Sequence, residues 1–189
     1  MKKLSILLIA LAIGFTSCKK EKKEVKTVET EVIETAVTAP KKIKIALNAK
    51  SGSSVSGNVV FKEAGGEVSM TAIISGLTPG EHAIHIHASS DCSSPDGKSA
   101  GGHWNPTAQP HGKWGAETGF HKGDIGNFTA DENGNGTISF TTDEWCIGCG
   151  DATKDILGKG IIVHAGVDDL TSQPSGAAGA RVSCAGIIQ

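Results

Sequence analysis

Short runs in which every second residue is apolar, separated by Gly, Asn and Pro, constrain this chain more than any other feature. Ile43, Ile45 and Leu47 alternate with other residues, and so do Val68, Met70, Ala72 and Ile74. Ile138 and Phe140 follow the pairs Asn133-Gly134 and Asn135-Gly136, and further runs cover Gly160 to Val163 and Arg181 to Ile188. Successive side chains of a strand point to opposite faces, so each run offers one face to a core, and Asn-Gly pairs favour tight hairpins. No stretch carries an amphipathic helical stripe, and no repeat of fixed period is visible. With abundant Gly and no Tyr, the pattern predicts an all-β sandwich or barrel of about eight strands.

This domain does not start at residue 1. Lys2 and Lys3 precede an apolar run from Leu4 to Phe15 and then Thr16-Ser17-Cys18. A basic start, a short apolar stretch and small residues before a cleavage point read as an export signal, and the run is short for a membrane span. Ending on Cys18, it resembles a bacterial lipoprotein signal, with Phe15 where that pattern usually has Leu. The expectation is a signal peptide over 1–17 and a lipidated Cys18. The Lys, Glu, Val and Thr segment that follows, to about residue 42, cannot bury enough apolar surface to offset its chain entropy and reads as a disordered tether over 18–42. One domain remains, 43–189, large enough for a single core. Without Lys2 and Lys3, 16 basic residues face 20 acidic ones, a balance that gives nucleic acid nothing to bind.

Export permits disulfides. With Cys18 set aside as the anchor, Cys92, Cys146, Cys149 and Cys184 remain, and four cysteines allow three pairings. The spacing Cys146-Ile147-Gly148-Cys149 suits a local disulfide, a redox pair or a soft Cu(I) site. Asp143, Glu144 and Trp145, which lead into it, carry no readable role.

Two long connections, Ala88 to Ile125 and Asp168 to Ala180, interrupt the short hairpins, and long loops in a β domain are usually functional or disordered. The first of them, with the strand leading into it, holds most of the histidines. In the run Pro79 to His87, His82, Ile84 and Ile86 share the core-facing side, which makes His82 a hydrogen-bonded structural residue. His85 and His87 share the other side. A His-x-His pair aims two imidazoles at one point, a geometry suited to copper or zinc. His103, His111, His121, Asp124 and His164 follow. Six histidines and a carboxylate exceed one tetrahedral site and suit two, one rich in imidazole and one that includes the carboxylate. Trp104 reads as loop packing, and Trp114 as loop or surface.

Together these residues resemble the copper/zinc superoxide dismutases. The matching stretches are Gly76-Leu77-Thr78-Pro79-Gly80, His85-Ile86-His87, Gly102 to Pro106, His111-Gly112, His121 to Asn127, Val163-His164, Asp168-Asp169-Leu170 and Gly176 to Arg181, followed by Cys184. They span nearly all of 43–189. The resemblance implies an eight-stranded Greek-key β-barrel with long metal-binding and active-site loops. It implies copper on His85, His87, His103 and His164, and zinc on His103, His111, His121 and Asp124, with His103 bridging the two. It further implies a Cys92–Cys184 disulfide, Asp168 as the carboxylate linking a copper ligand to a zinc ligand, and Arg181 beside copper as the attractor of an anionic substrate. The implied reaction converts superoxide to oxygen and hydrogen peroxide while copper cycles between Cu(II) and Cu(I). His103 and Arg181 are the catalytic residues of that reading.

The chain departs from the family's pattern in three places. The loop from Leu170 to Ala180 has no charged side chain, so guidance of the anion falls on Arg181 and on lysines from elsewhere, Lys113 or Lys122. Ala83 stands where Gly is usual. The Cys146–Cys149 insert is additional. The implied partners are superoxide and a membrane reached through the lipid anchor, in a bacterial cell envelope, periplasmic or at the outer membrane. A homodimer is compatible with the sequence but not written in it. The competing reading is a non-catalytic copper- or zinc-binding envelope lipoprotein on the same barrel.

Overall fold

The computed structural model describes residues 39–189. The signal peptide, Cys18 and most of the tether expected from the sequence lie outside the described residues. Eight strands follow in chain order: β1 Lys41–Ala49, β2 Ser56–Ala64, β3 Glu67–Ser75, β4 Gly80–His87, β5 Gly126–Ala130, β6 Gly136–Thr142, β7 Gly160–His164 and β8 Arg181–Gly186. Lys41 and Lys42 thus already belong to the barrel. A single 3-10 turn, Lys98–Ala100, interrupts the first long connection, and no α-helix occurs among the described residues.

The strands close into a barrel in the order β1-β2-β3-β6-β5-β4-β7-β8, every pair antiparallel. The jumps from β3 to β4 and from β6 to β7 pass over other strands, which gives the Greek-key connectivity and requires long connections. Closure leaves no free sheet edge.

The alternation seen in the sequence is the alternation of burial. Ile43, Ile45 and Leu47 of β1, Val59 and Phe61 of β2, and Val68, Met70, Ala72 and Ile74 of β3 point inward, with exposed or half-exposed residues between them. β4 and β7 differ, because both of their faces are buried. Ile84, Ile86, Ile161 and Val163 face the core, while His85, His87 and His164 face outward and are covered by the two long loops, each at most 5% exposed. The structural reading of His82 agrees with its contacts: its ring nitrogens lie 2.9 Å from the His164 carbonyl and 2.8 Å from the Thr78 carbonyl.

Trp114 lies in the first long loop, as the sequence suggests, but its ring is not left at the surface. It packs partly buried against the core, with Phe120 and Phe140 each 4.8 Å away and Trp145 at 5.8 Å, measured between ring centroids. Trp145, to which the sequence assigns no role, is among the largest fully buried side chains. Apolar rings of this size lose more free energy exposed to water than a loop gains by freedom, so the insert folds onto the barrel.

Candidate metal centre

The site grows from four places in the fold. β4 carries His85 and His87. The first long loop carries His103, His111, His121 and Asp124. The end of β7 carries His164, and the start of β8 carries Arg181. His103 is drawn onto β4 by an isolated bridge to His87, and the Trp104 amide donates to the Ile86 carbonyl at 2.8 Å. Gly123 lies against the same strand: the Ile86 amide donates to its carbonyl at 2.9 Å, and a Cβ there would fall 2.1 Å from the Ile86 oxygen. Only glycine permits that approach. His164 sits at a bulge of the β7–β8 ladder, opposite Arg181, and bulges commonly re-aim a side chain beside a site.

The ring nitrogens divide into two kinds. His87 Nδ1 donates to the Gly101 carbonyl at 2.9 Å, and His164 Nδ1 faces the Gly179 carbonyl at 3.4 Å. Both Nε2 atoms are then left with a lone pair, because a neutral imidazole carries one proton. His85 and His111 both give Nε2 to the Asp168 carboxylate, at 2.8 and 2.9 Å, leaving their Nδ1 atoms free. Six buried nitrogens have no hydrogen-bond partner: Nδ1 of His85, His111 and His121, and Nε2 of His87, His103 and His164. Burying an unpartnered polar atom is costly, so a cluster of them marks a place for something else.

They fall into two groups. Ligand atoms of His85, His87, His103 and His164 lie within 4.8 Å of one another, and so do those of His103, His111, His121 and Asp124. His103 belongs to both. In the second group three Nδ1 atoms converge on Asp124, at 2.8 Å from His103, 3.0 Å from His111 and 3.3 Å from His121. Only the contact from His103 has hydrogen-bond geometry. The other two nitrogens are close to the carboxylate but not aligned with it, as expected of donors that would share one ion. Four imidazoles suit copper, and three imidazoles with a carboxylate suit tetrahedral zinc. The residues present therefore fit both metals.

The electrostatics favour ligation. Burial pushes the His103 ring down to about 4 and His164 to about 3, and holds His87 well below its ordinary value. For His103 the hydrogen bond to Asp124 opposes that shift, while neighbouring His85 adds to it. These rings are neutral near pH 7, the form that binds metal. Burial alone would raise the Asp168 carboxyl, but hydrogen bonds from His85, the Leu170 amide and His111 hold it at about 2. Asp124 is held below the usual carboxylate range despite burial, by hydrogen bonds from the His103 ring and the His121 amide. Both carboxylates are ionised over the working range.

The sequence assigns no role to several supporting residues, although Asn127 and Gly176 fall within the stretches that resemble the family. Asn127 donates to the Asp168 carbonyl and accepts the Asp168 amide, both at 2.8 Å. Gln173 accepts the His111 amide at 2.9 Å and donates to the His111 carbonyl at 2.8 Å. Gly176 has φ +66°, and a Cβ on it would overlap the Asp168 carboxylate and approach His111 Nε2. One-residue amide clamps of this kind leave no pattern in a single chain. The Gly176 requirement is visible only once the loop is folded over Asp168.

A cleft of about 400 Å³ opens over the first group, lined among others by His87, His103, His164, Pro174 and Arg181. The Arg181 guanidinium donates to the Gly97 carbonyl at 2.8 Å. Gly97 belongs to the loop that Cys92 ties to β8 through its disulfide with Cys184. Neither lysine expected to help guide an anion lines this cleft. Lys122 forms an ion pair with Glu144, and Lys113 is exposed beside Pro110 and Leu170. Arg181 is the one cation among the residues that line it.

Comparison with known proteins places this geometry in context. Residues 55–187 match the sequence profile of copper/zinc superoxide dismutase. Among solved structures, a double mutant of a SOD-like protein from Bacillus subtilis aligns with TM-score 0.69 at 30% identity, covering 77% of this chain and 97% of that one. The SOD-like protein from Bacillus subtilis itself aligns with TM-score 0.68 at 28% identity over the same shares. The clock protein EA4 aligns with TM-score 0.68 at 31% identity, covering 80% of this chain and 97% of that one.

Proposed function

The chain belongs to the copper/zinc superoxide dismutase family, and we propose that it is an active member, converting two superoxide anions and two protons into oxygen and hydrogen peroxide. One observation carries the reading: six unpartnered buried histidine nitrogens, in two groups that share His103, lie beneath a cleft whose lining cation is Arg181. His85, His87, His103 and His164 would hold copper, and His103, His111, His121 and Asp124 would hold zinc. Copper held there would supply a reversible one-electron couple, and zinc held by the group that shares His103 would supply a fixed positive charge.

The chain's own groups do the rest. Arg181 draws a small anion into a low-dielectric cleft, and fields focused in this way raise association rates; the handling of superoxide is an established example of such steering. Its hydrogen bond to Gly97 fixes where the guanidinium points. His103 Nε2 is the shared ring's free nitrogen on the cleft side, so it is the atom able to hold a proton for the departing peroxide. Asp168 orients one ring from each group, fixing both tautomers at once.

The basic start, apolar run and Cys18 support export and lipid anchoring. The two disulfides of the domain, Cys92–Cys184 and Cys146–Cys149, suit an oxidising compartment. On this reading the protein removes superoxide in the cell envelope. The test is reconstitution: the metal-free chain is given zinc alone or zinc with copper, and superoxide decay is followed by stopped flow. Fast decay only with both metals is expected. Decay no faster than the spontaneous reaction, with both metals bound, leaves a metal-binding envelope protein.

A further inference from the structure

The Cys146–Cys149 insert lies in the β6–β7 connection and takes no part in either ligand group. Its neighbours connect it to two parts of the barrel. On one side the Ile147 amide donates to Glu63 of β2 at 2.8 Å, and Lys41 of β1 donates to the Ile147 carbonyl at 2.5 Å. On the other side Glu144 and Trp145 reach the loop that carries the zinc-type ligands. Glu144 forms an ion pair with Lys122. Trp145 Nε1 donates to the Lys122 carbonyl at 2.8 Å. The Trp145 ring packs 5.8 Å from Trp114, which itself packs 4.8 Å from Phe120. Lys122 and Phe120 flank His121, and Trp114 lies between His111 and His121 in the chain. Every one of these ties to the ligand loop leaves from the two residues immediately before Cys146.

The two sulfurs differ in access. Cys146 is 7% exposed and packed with the core, whereas Cys149 is exposed. Asp155 closes the turn by accepting the Gly148 amide at 2.9 Å and the Gly150 amide at 3.0 Å. Its carboxylate is therefore engaged in holding the loop rather than free to ligate.

We propose that the Cys146–Cys149 disulfide is a thiol-accessible clasp that holds Glu144 and Trp145 against Lys122, so that opening it loosens the zinc-side loop. The inference rests on the metal reading above. In the opening step an external thiolate attacks Cys149 Sγ, the Sγ–Sγ bond breaks, and the electron pair leaves on Cys146 Sγ as a thiolate. A second external thiol reduces the mixed disulfide, so one external disulfide and the protein dithiol result. With the bond open, the turn after Trp145 regains freedom and the indole loses its fixed approach to the Lys122 carbonyl. Trp145 is a positioning residue in this scheme, acting through the Lys122 carbonyl in the backbone beside His121.

The test is zinc release from the zinc-loaded chain to a colorimetric chelator, with and without prior treatment by a mild thiol and alkylation. Mass spectrometry identifies the trapped cysteines. The expected result is alkylation of Cys146 and Cys149 with Cys92–Cys184 intact, and release faster on the order of tenfold, the size seen when groups supporting a ligand are lost. The Cys146→Ser, Cys149→Ser double variant should release zinc at that faster rate and ignore the thiol. Glu144→Gln, a change at a partly exposed side chain that keeps the fold, should accelerate release with the disulfide closed. Release at the untreated rate in both the thiol-opened chain and the double variant, from a chain that retains zinc, overturns the clasp and leaves the metal reading standing. A wild-type chain that never retains zinc overturns the metal reading, and the clasp's hold on zinc falls with it.

Discussion

His164 and Arg181 stand opposite one another across the bulged end of the β7–β8 ladder, so two paired strands deliver a copper-type ligand and the cation beside it. That pairing fixes the distance between the anion's attractor and the site where it would react. Arg181→Glu should slow dismutation by tenfold or more, within the roughly 10–10³ range of electrostatic steering. It should also flatten the fall of rate with ionic strength. Steady-state dismutation over a salt series checks both. A variant with the wild-type rate at low salt removes Arg181 from the account.

His103 is the single residue common to both ligand groups. His103→Ala should therefore lower the retention of both metals, whereas His121→Ala should affect zinc retention much more than copper. Metal analysis after dialysis against a weak chelator distinguishes the two. Equal copper retention in wild type and His103→Ala contradicts the shared role.

Asp168 accepts a hydrogen bond from one ring of each group. In Asp168→Asn an amide would turn its N–H toward a ring N–H at one of those contacts, forcing a tautomer that spoils the ligand. Metal affinity should fall about 10- to 100-fold. Gly176→Ala should act in the same direction, because its Cβ would overlap the Asp168 carboxylate. Chelator competition measures both, and unchanged affinity in Asp168→Asn would show that the carboxylate does not orient the rings.

The Cys92–Cys184 bond closes a loop with a sequence separation of 92 residues. Its removal by Cys92→Ser with Cys184→Ser should cost about 2–5 kcal/mol of stability. It should also cost activity beyond that, because the Gly97 carbonyl that holds Arg181 loses its tether. Urea unfolding reads the first effect. Dismutation at a temperature where the variant is fully folded reads the second, and wild-type turnover there would separate the disulfide from Arg181.

Acid should destabilise the metal-free chain. His103 and His164 titrate at about 4 and about 3 in the fold, against about 6.5 for an unfolded histidine. Between those values the unfolded chain binds more protons, so stability is full above about pH 6.5 and falls as pH drops toward 4. Below that, protonation of Asp168, held at about 2, adds a further loss. Thermal midpoints of the metal-free chain from pH 7.5 to 4 check the trend. A midpoint constant across that window would show that the rings are not buried neutral.

Much of this architecture is legible in the chain itself, for physical reasons that differ from element to element. β1 and β3 are half-buried strands, so their apolar residues alternate and can be read. β4 was readable by parity, which separates His85 and His87 from Ile84 and Ile86. β2 and β5 carry less apolar alternation: Val59-Val60-Phe61 run together, and Gly126-Asn127-Phe128 has one large residue. Their pairing comes from ladder partners that only the closed barrel supplies. The ligands themselves stand out because histidine is rare in solvated loops and here recurs. The roles of Trp145, Asn127 and Gln173 are not legible, since a buried indole or an amide clamp is defined by what lies across from it in space. Lys122 misleads in the same way: its charge is visible in sequence, but its pairing with Glu144 is not.

The most direct test is metal content and superoxide dismutation measured on one preparation of the chain after exposure to both metals. The account predicts one copper and one zinc per chain, with dismutation proportional to copper content and abolished when copper alone is removed. Zinc without copper uptake, or full copper with no dismutation above the spontaneous rate, would contradict it.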